Sequence, residues 1–329
     1  MAQWFLLQCH PDSGGSPDMH VPDGFLDAKT AATTAALSAV GLGLALRRAR
    51  LTLPPQKVPL LGLAAAFIFA AQMLNFPVMG GTSGHLIGAT LAAVLLGPSA
   101  AVIAISCVLI VQCFLFADGG VTALGANIFN MALIGGVGGW AIYSMTRRIF
   151  PGRPGTIIAA FFASWCATVV GAIVCAGELV ASQKAQWNVV FPAMTFVHMI
   201  IGVGEGLVTA LVLSAVSTSR PDLIVDERPA ERSLAPFILY GALIAIGLAL
   251  FVSPFASSAP DGLDKTAQAL GFADGSKILV HAPMSEYQIK GISFASLSTS
   301  IAGLIGTVVA LGLGWLLARL LVPKPAARP

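Results

Sequence analysis

Long apolar stretches, broken by short polar clusters, run the length of the chain. Nine of them are predicted to be helices, near residues 31–46, 60–74, 85–96, 99–117, 128–145, 156–179, 189–216, 236–252 and 294–321. A helix of about 20 apolar residues crosses a hydrocarbon core of about 30 Å. The polar stripe that a soluble helix carries along one face is mostly missing here. The third segment is the shortest. It starts directly after a glycine-rich loop and is expected not to cross the bilayer alone in the usual way. The pattern therefore predicts an all-α integral membrane protein.

Composition agrees with that reading. Hydrophobic residues make up 56% of the chain and charged residues 10%, against about 25% charged residues in an ordinary soluble domain. The positive charges sort by side. With the amino terminus outside, 13 Lys and Arg fall on the cytoplasmic side: Arg47, Arg48, Arg50, Lys57, Arg147, Arg148, Arg153, Arg220, Arg228, Arg232, Arg319, Lys324 and Arg328. Only 5 fall outside, namely Lys29, Lys184, Lys265, Lys277 and Lys290. Every Arg is inside, as the positive-inside bias requires. Adding or losing one span breaks this sorting, so an odd number of spans, an outer amino terminus and a cytoplasmic carboxyl terminus are expected. The net charge of +3 follows from sidedness and gives no support for binding nucleic acid. Cys9, Cys107, Cys113, Cys166 and Cys175 form no CxxC pair, and four of them lie in apolar spans. A disulfide framework or a cysteine zinc site is not expected.

The chain divides by composition. Residues 1–18 form a leader with a very short apolar run at Trp4–Leu7 and none of the features of a secretory signal. Residues 19–217 hold seven segments with short loops, 218–234 read as a polar cytoplasmic linker, and 235–329 as a helical hairpin. The hairpin's outer loop, 253–293, carries Asp261, Asp264, Asp274, His281 and Glu286. The absence of an internal repeat argues against an inverted-repeat secondary transporter. Small residues at Ala31, Ala35, Ala39 and Gly43, and at Gly135 and Gly139, permit close helix packing, within the chain or against a partner.

The chemistry rests on five histidines, His10, His20, His85, His198 and His281. An ionisable group in a membrane protein is costly and marks a candidate site. His85 ends the run Met79-Gly80-Gly81-Thr82-Ser83-Gly84, whose glycines let backbone approach a ligand closely; a helix-capping loop histidine is the plainer alternative. His20 follows Met19. A His in second position after a free amine offers three nitrogens within one short chain: the amine, its own amide and the imidazole. With a second imidazole they complete a square, a geometry suited to Ni(II) or Cu(II). That arrangement requires a mature chain beginning at Met19. His198 and Glu205 lie seven apart on one face of the seventh segment, as groups behind the ligands, as a proton relay or simply as interhelical hydrogen bonds. No Walker A, GxSxG or HExxH sequence occurs. A stand-alone secondary transporter or channel is the competing class, with only Glu178, His198 and Glu205 to line a path.

Four motifs carry a family resemblance. MHVPDGFL at 19–26, FPVMGGTSGHLIG at 76–88, the Gly-Val-Gly-Glu ending at Glu205, and APDGLDKTA at 259–267 resemble the substrate-specific components of energy-coupling-factor nickel and cobalt transporters, the CbiM/NikM family, with a PDGLE or NikN-type module fused behind. The resemblance implies a seven-helix core plus a two-helix appended hairpin in the cell's inner (plasma) membrane. It implies Ni(2+) or Co(2+) as transported ion, nickel favoured, held by the amine of Met19, the amide and imidazole of His20 and the imidazole of His85. Ser83, His198 and Glu205 are expected behind those ligands. Asp261 and Asp264 are outer-loop candidates that aid loading without forming the principal site. The implied partners are a membrane coupling subunit and two cytoplasmic ATPase subunits, so the chain itself is expected not to be an enzyme.

Overall fold

A computed structural model of the chain describes residues 20–79, 81–224 and 233–322. The leader 1–18, Met19, residues 225–232 of the 218–234 linker and, with them, the cationic residues Arg228 and Arg232, as well as Lys324 and Arg328, lie outside the described residues. The rest is almost entirely helical, and all nine apolar segments form helices.

The helices are α1 (Ala28–Thr52), α2 (Val58–Gln72), α3 (Ala89–Leu96), α4 (Pro98–Val111), α5 (Leu124–Asn127), α6 (Gly139–Ile149), α7 (Gly152–Ala181), α8 (Trp187–Ser219), α9 (Ala235–Gly247), α10 (Gly262–Leu270) and α11 (Ala295–Leu321). Wider π-helical turns extend α4 through Phe116, join α5 to α6, and extend α9 through Val252. Seven helices among the described residues are long and apolar enough to cross a membrane. The 15-residue α2 and the 8-residue α3 fall short. At ~1.5 Å per residue, α3 rises only about 12 Å.

The chain between α2 and α3 explains the shortfall. Phe76–Val78 and Thr82–Gly84 pair as a small antiparallel hairpin, β1 and β2, and an irregular stretch then leads into α3. Non-helical backbone is tolerated in a membrane protein only where protein groups satisfy it. Here Gln72 donates to the Ile87 carbonyl at 3.0 Å. The Glu205 carboxylate, from α8, accepts from Ile87 N at 2.6 Å and Gly88 N at 2.9 Å. Glu205 thus satisfies, from another helix, the two N–H groups of the loop just before α3.

The centre of the bundle is α4, buried on every side from Ala100 to Leu109. Helices α1, α2 and α3, the π-helical turns after α5 and the appended α11 pack around it. The small-residue ladder on α1 is used inside the chain in part: Gly125 lies against Ala35, and Ser38 donates to the Gly125 carbonyl at 2.6 Å. The appended hairpin docks on α2, with α9 and α11 on either side of it. Gly306 of α11 faces Phe69 so closely that an added Cβ would stand 2.1 Å from the ring. Phe69 is fully buried among Phe116 and Tyr287 and cannot yield. Gly306→Ala should therefore overpack this contact at a cost of about 1–3 kcal/mol. The check is a melting curve in detergent; an unchanged midpoint contradicts this account of how the hairpin is held.

Candidate metal centre

Residues 20–27 precede α1 as a non-helical segment, extended and then turned at Gly24, tucked into one end of the bundle. Asn127 holds it as a neighbouring strand would, accepting from Val21 N at 3.0 Å and donating to the Val21 carbonyl at 3.1 Å. Gly120 N also donates to that carbonyl, at 2.9 Å. Asp23 accepts from Thr122 N at 2.7 Å and from the Thr122 hydroxyl at 2.5 Å. Phe25, 1% exposed, anchors the turn apolarly. The partner loop admits this only because it is glycine-rich. Gly119 has φ +87°, and a Cβ there would come within 2.9 Å of the His20 Cβ.

This packing buries His20 and brings it to His85, which enters from the β-hairpin. The two ring centroids are 5.6 Å apart, with the planes inclined at 56°. His20 Nδ1 lies 2.8 Å from Asp118 Oδ1, and the Tyr287 hydroxyl donates to Asp118 Oδ2 at 2.7 Å. Burial opposes the charge on Asp118, but the His20 imidazole and the two hydrogen bonds outweigh it and hold the carboxyl below its ordinary range. A cavity of about 100 Å³ opens beside the pair, lined among others by His20, Ser83, His85, Asn127, His198 and Asp261. No group of three or more His, Cys, Asp or Glu side chains gathers at metal-binding separation among the described residues. A site on these two imidazoles would draw its other nitrogens from backbone.

The remaining sequence candidates fall into distinct places. Ser83 is wholly buried and ties β2 to the outer loop: its hydroxyl donates to the Ala259 carbonyl at 2.7 Å and its N–H to the Pro260 carbonyl at 2.8 Å. His198 lines the cavity, but its Nδ1 faces the Met194 carbonyl one turn back at 2.8 Å. Glu205 reaches the loop just after His85, as described. Asp261 caps α10 by accepting from Asp264 N at 2.8 Å. Burial pushes its carboxyl up to about 6, partly offset by that hydrogen bond and by nearby His20. Asp264 sits half-buried on the first turn of α10 and does not line the cavity. His281 is exposed in the outer loop, and Met19 lies outside the described residues.

Asp118, Asn127 and Tyr287 were not singled out from the sequence. Asp118 and Asn127 carried a usable signal: an acidic residue before two glycines and an amide group, all flanked by apolar segments, are costly unless they have partners. Tyr287 carried none, since it sits in a polar loop far along the chain.

The outer loop closes over the site through main-chain bonds at separate points. Ser257 N donates to the Asn75 carbonyl, Lys277 N to the Asp23 carbonyl, both at 2.8 Å, and Met284 N to the Leu115 carbonyl at 3.0 Å. With the Ser83 bonds, these links tie it to both segments that carry the histidines.

Glu205→Ala should leave the N–H groups of Ile87 and Gly88 unpaired, costing about 1–3 kcal/mol for each buried group, and should loosen the loop that carries His85. Lower thermal stability together with weaker nickel binding is the expected pair of results. His198→Ala should lower neither by as much, and the reverse ranking counts against these roles.

Comparison with known proteins gives a consistent set. The family described as cobalt uptake substrate-specific transmembrane region matches residues 20–223, and the PDGLE domain matches residues 235–323. The chain is 39% identical over 310 residues to a putative fused nickel transport protein NikMN of Archaeoglobus fulgidus, covering 92% of this chain and 98% of that protein. It is 38% identical over 246 residues to the fused nickel transport protein NikMN of Rhodobacter capsulatus, covering 69% of this chain and 71% of that protein. Among solved structures, a truncated transition metal transporter superposes with a TM-score of 0.56 at 32% identity, over 61% of this chain and 99% of that one.

Proposed function

The chain belongs to the family of cobalt uptake substrate-specific transmembrane regions, and from that membership we propose that it is the ion-binding membrane component of an energy-coupling-factor importer, with nickel its preferred ion. At the coarser level it is a multi-pass membrane protein of nickel or cobalt transport, not an enzyme. The observation that carries the finer reading is the pairing of His20 with His85, ring centroids 5.6 Å apart beside one cavity.

In this reading the α-amine of Met19, the amide and imidazole of His20 and the imidazole of His85 supply four nitrogens. A planar set of nitrogens matches Ni(II) better than magnesium or zinc, which is the reason for favouring nickel. The coordination needs a free amine on Met19, so the functional chain begins there. Residues 19–217 form the binding core, and 235–329 are an appended module that aids loading from outside. The amino terminus faces outward and the carboxyl terminus the cytoplasm, as the distribution of Lys and Arg supports. A membrane coupling subunit and two ATPase subunits supply the energy, since the chain carries no phosphate-binding loop of its own.

Nickel and cobalt titration of purified variants tests the site. His20→Ala and His85→Ala should each abolish high-affinity binding, because each removes one of the four nitrogens of the site, while His281→Ala should bind as the unmodified chain does. Affinity should fall as pH falls: amine, amide and imidazole must all shed protons to coordinate, and acid returns those protons. Unchanged affinity in His85→Ala would refute the site.

Removal of residues 233–329 should cut uptake sharply yet leave measurable nickel binding on the core. A truncated core that folds and binds no nickel shows that the division of labour is wrong. Uptake that persists without the ATPase partners would point instead to a stand-alone transporter.

A further inference from the structure

The appended module enters the histidine cavity through the run Ala259-Pro260-Asp261-Gly262. Ser83 holds the first two of these by their carbonyls, which sets Asp261 beside the strand that leads to His85. Asp261 is 6% exposed and lines the cavity. Its Oδ1 caps α10 by accepting from Asp264 N at 2.8 Å. A cap needs only a neutral oxygen, and asparagine caps a helix as well as aspartate does. The cap therefore does not account for a carboxylate buried against a cavity, where an unpaired charge is expensive.

His198 lines the same cavity from α8. Its Nδ1 lies 2.8 Å from the Met194 carbonyl. A carbonyl can only accept, so Nδ1 carries the hydrogen and Nε2 keeps its lone pair. Among the described residues nothing donates to Nε2. Imidazoles that bind metals are held in this way, by a hydrogen bond from the ring nitrogen that does not bind. Gly262, next to Asp261, backs onto the same edge of the ring: a Cβ there would stand 2.6 Å from Cε1 and 3.1 Å from Nε2. Glycine brings the Asp261 backbone against the imidazole without a side chain covering that edge.

We propose that His198 Nε2 and the Asp261 carboxylate form a second, weaker site for the transported divalent cation, holding it in the cavity before His20 and His85 take it over. An imidazole nitrogen and a carboxylate oxygen both serve first-row divalent ions, with water completing the coordination. Two protein ligands hold an ion less tightly than four nitrogens, so the ion can move on. The core supplies one ligand and the appended module the other. The proposal rests on the reading of His20 and His85 as the principal site, but not on which atoms of His20 bind there.

The test uses the full chain, with Co(II) alone as the first probe. A double variant, His20→Ala with His85→Ala, removes the principal site. Calorimetric titration of it should still find one weak site per chain. Adding His198→Gln or Asp261→Asn should abolish that residual binding, and adding His281→Ala should not. Asparagine keeps the α10 cap, so Asp261→Asn should melt as its parent does; if it does not, His198→Gln decides. In the otherwise unmodified chain, each of these two substitutions should leave nickel affinity at equilibrium unchanged and slow association and release by the same factor. A group that touches the ion only in transit acts on both directions of the passage, whereas a packing role would move affinity and melting point instead. Absence of a weak site in the double variant, or its survival of both substitutions, overturns the proposal. If the double variant keeps full affinity, the His20 and His85 reading is what fails. In that case, or if the double variant does not fold, the two nickel rates judge the second site, and unchanged rates overturn it.

Discussion

Extended backbone inside a membrane protein has to find its hydrogen-bond partners within the protein, because lipid supplies none. The segment 20–27 is such non-helical backbone, and its burial organises one end of the molecule. Asn127 supplies the donor and acceptor of a missing neighbouring strand to Val21, and Thr122 binds the Asp23 carboxylate with two donors. The Asp118-Gly119-Gly120 turn comes close enough to serve because glycines leave room for it. Once the segment is seated, His20 has one place to go.

The same constraint acts on the second irregular stretch. The loop from β2 into α3 is satisfied by Gln72 and Glu205, side chains from two different helices. Glu205 therefore serves His85 indirectly, through the backbone that follows it. An isolated buried carboxylate is expensive, but one that accepts two main-chain hydrogen bonds from a buried loop has a structural reason to be there. His198 is explained similarly by the Met194 carbonyl one turn before it. Glu205 is the means by which the non-helical backbone before α3 finds its partners.

The appended hairpin adds a third layer to this scheme. Its helices grip α2 through close contacts such as Gly306 against Phe69, and its outer loop bonds to β2, to Asp23 and to Leu115. The loop bonds reach both segments that carry His20 and His85. A loop pinned at several points around an ion site bears on that site's geometry even when it contributes no ligand.

The nine helical segments and the all-α membrane class follow from local composition, because a helix satisfies its own backbone and needs only apolar side chains to face lipid. Motif residues such as His20, His85, Ser83 and Glu205 were also legible in the linear order, since an ionisable or glycine-rich site among apolar runs stands out. What they do to one another was not. The bonds from Ile87 N and Gly88 N to Glu205 and from the Tyr287 hydroxyl to Asp118 join residues far apart in the chain. No periodicity records such contacts, because each depends on two or more helices packing at a particular height and angle. The shortness of the third segment was legible in the sequence, but the bonds that hold the hairpin and loop before it, from α8 and from the loop of the appended module, form only in three dimensions.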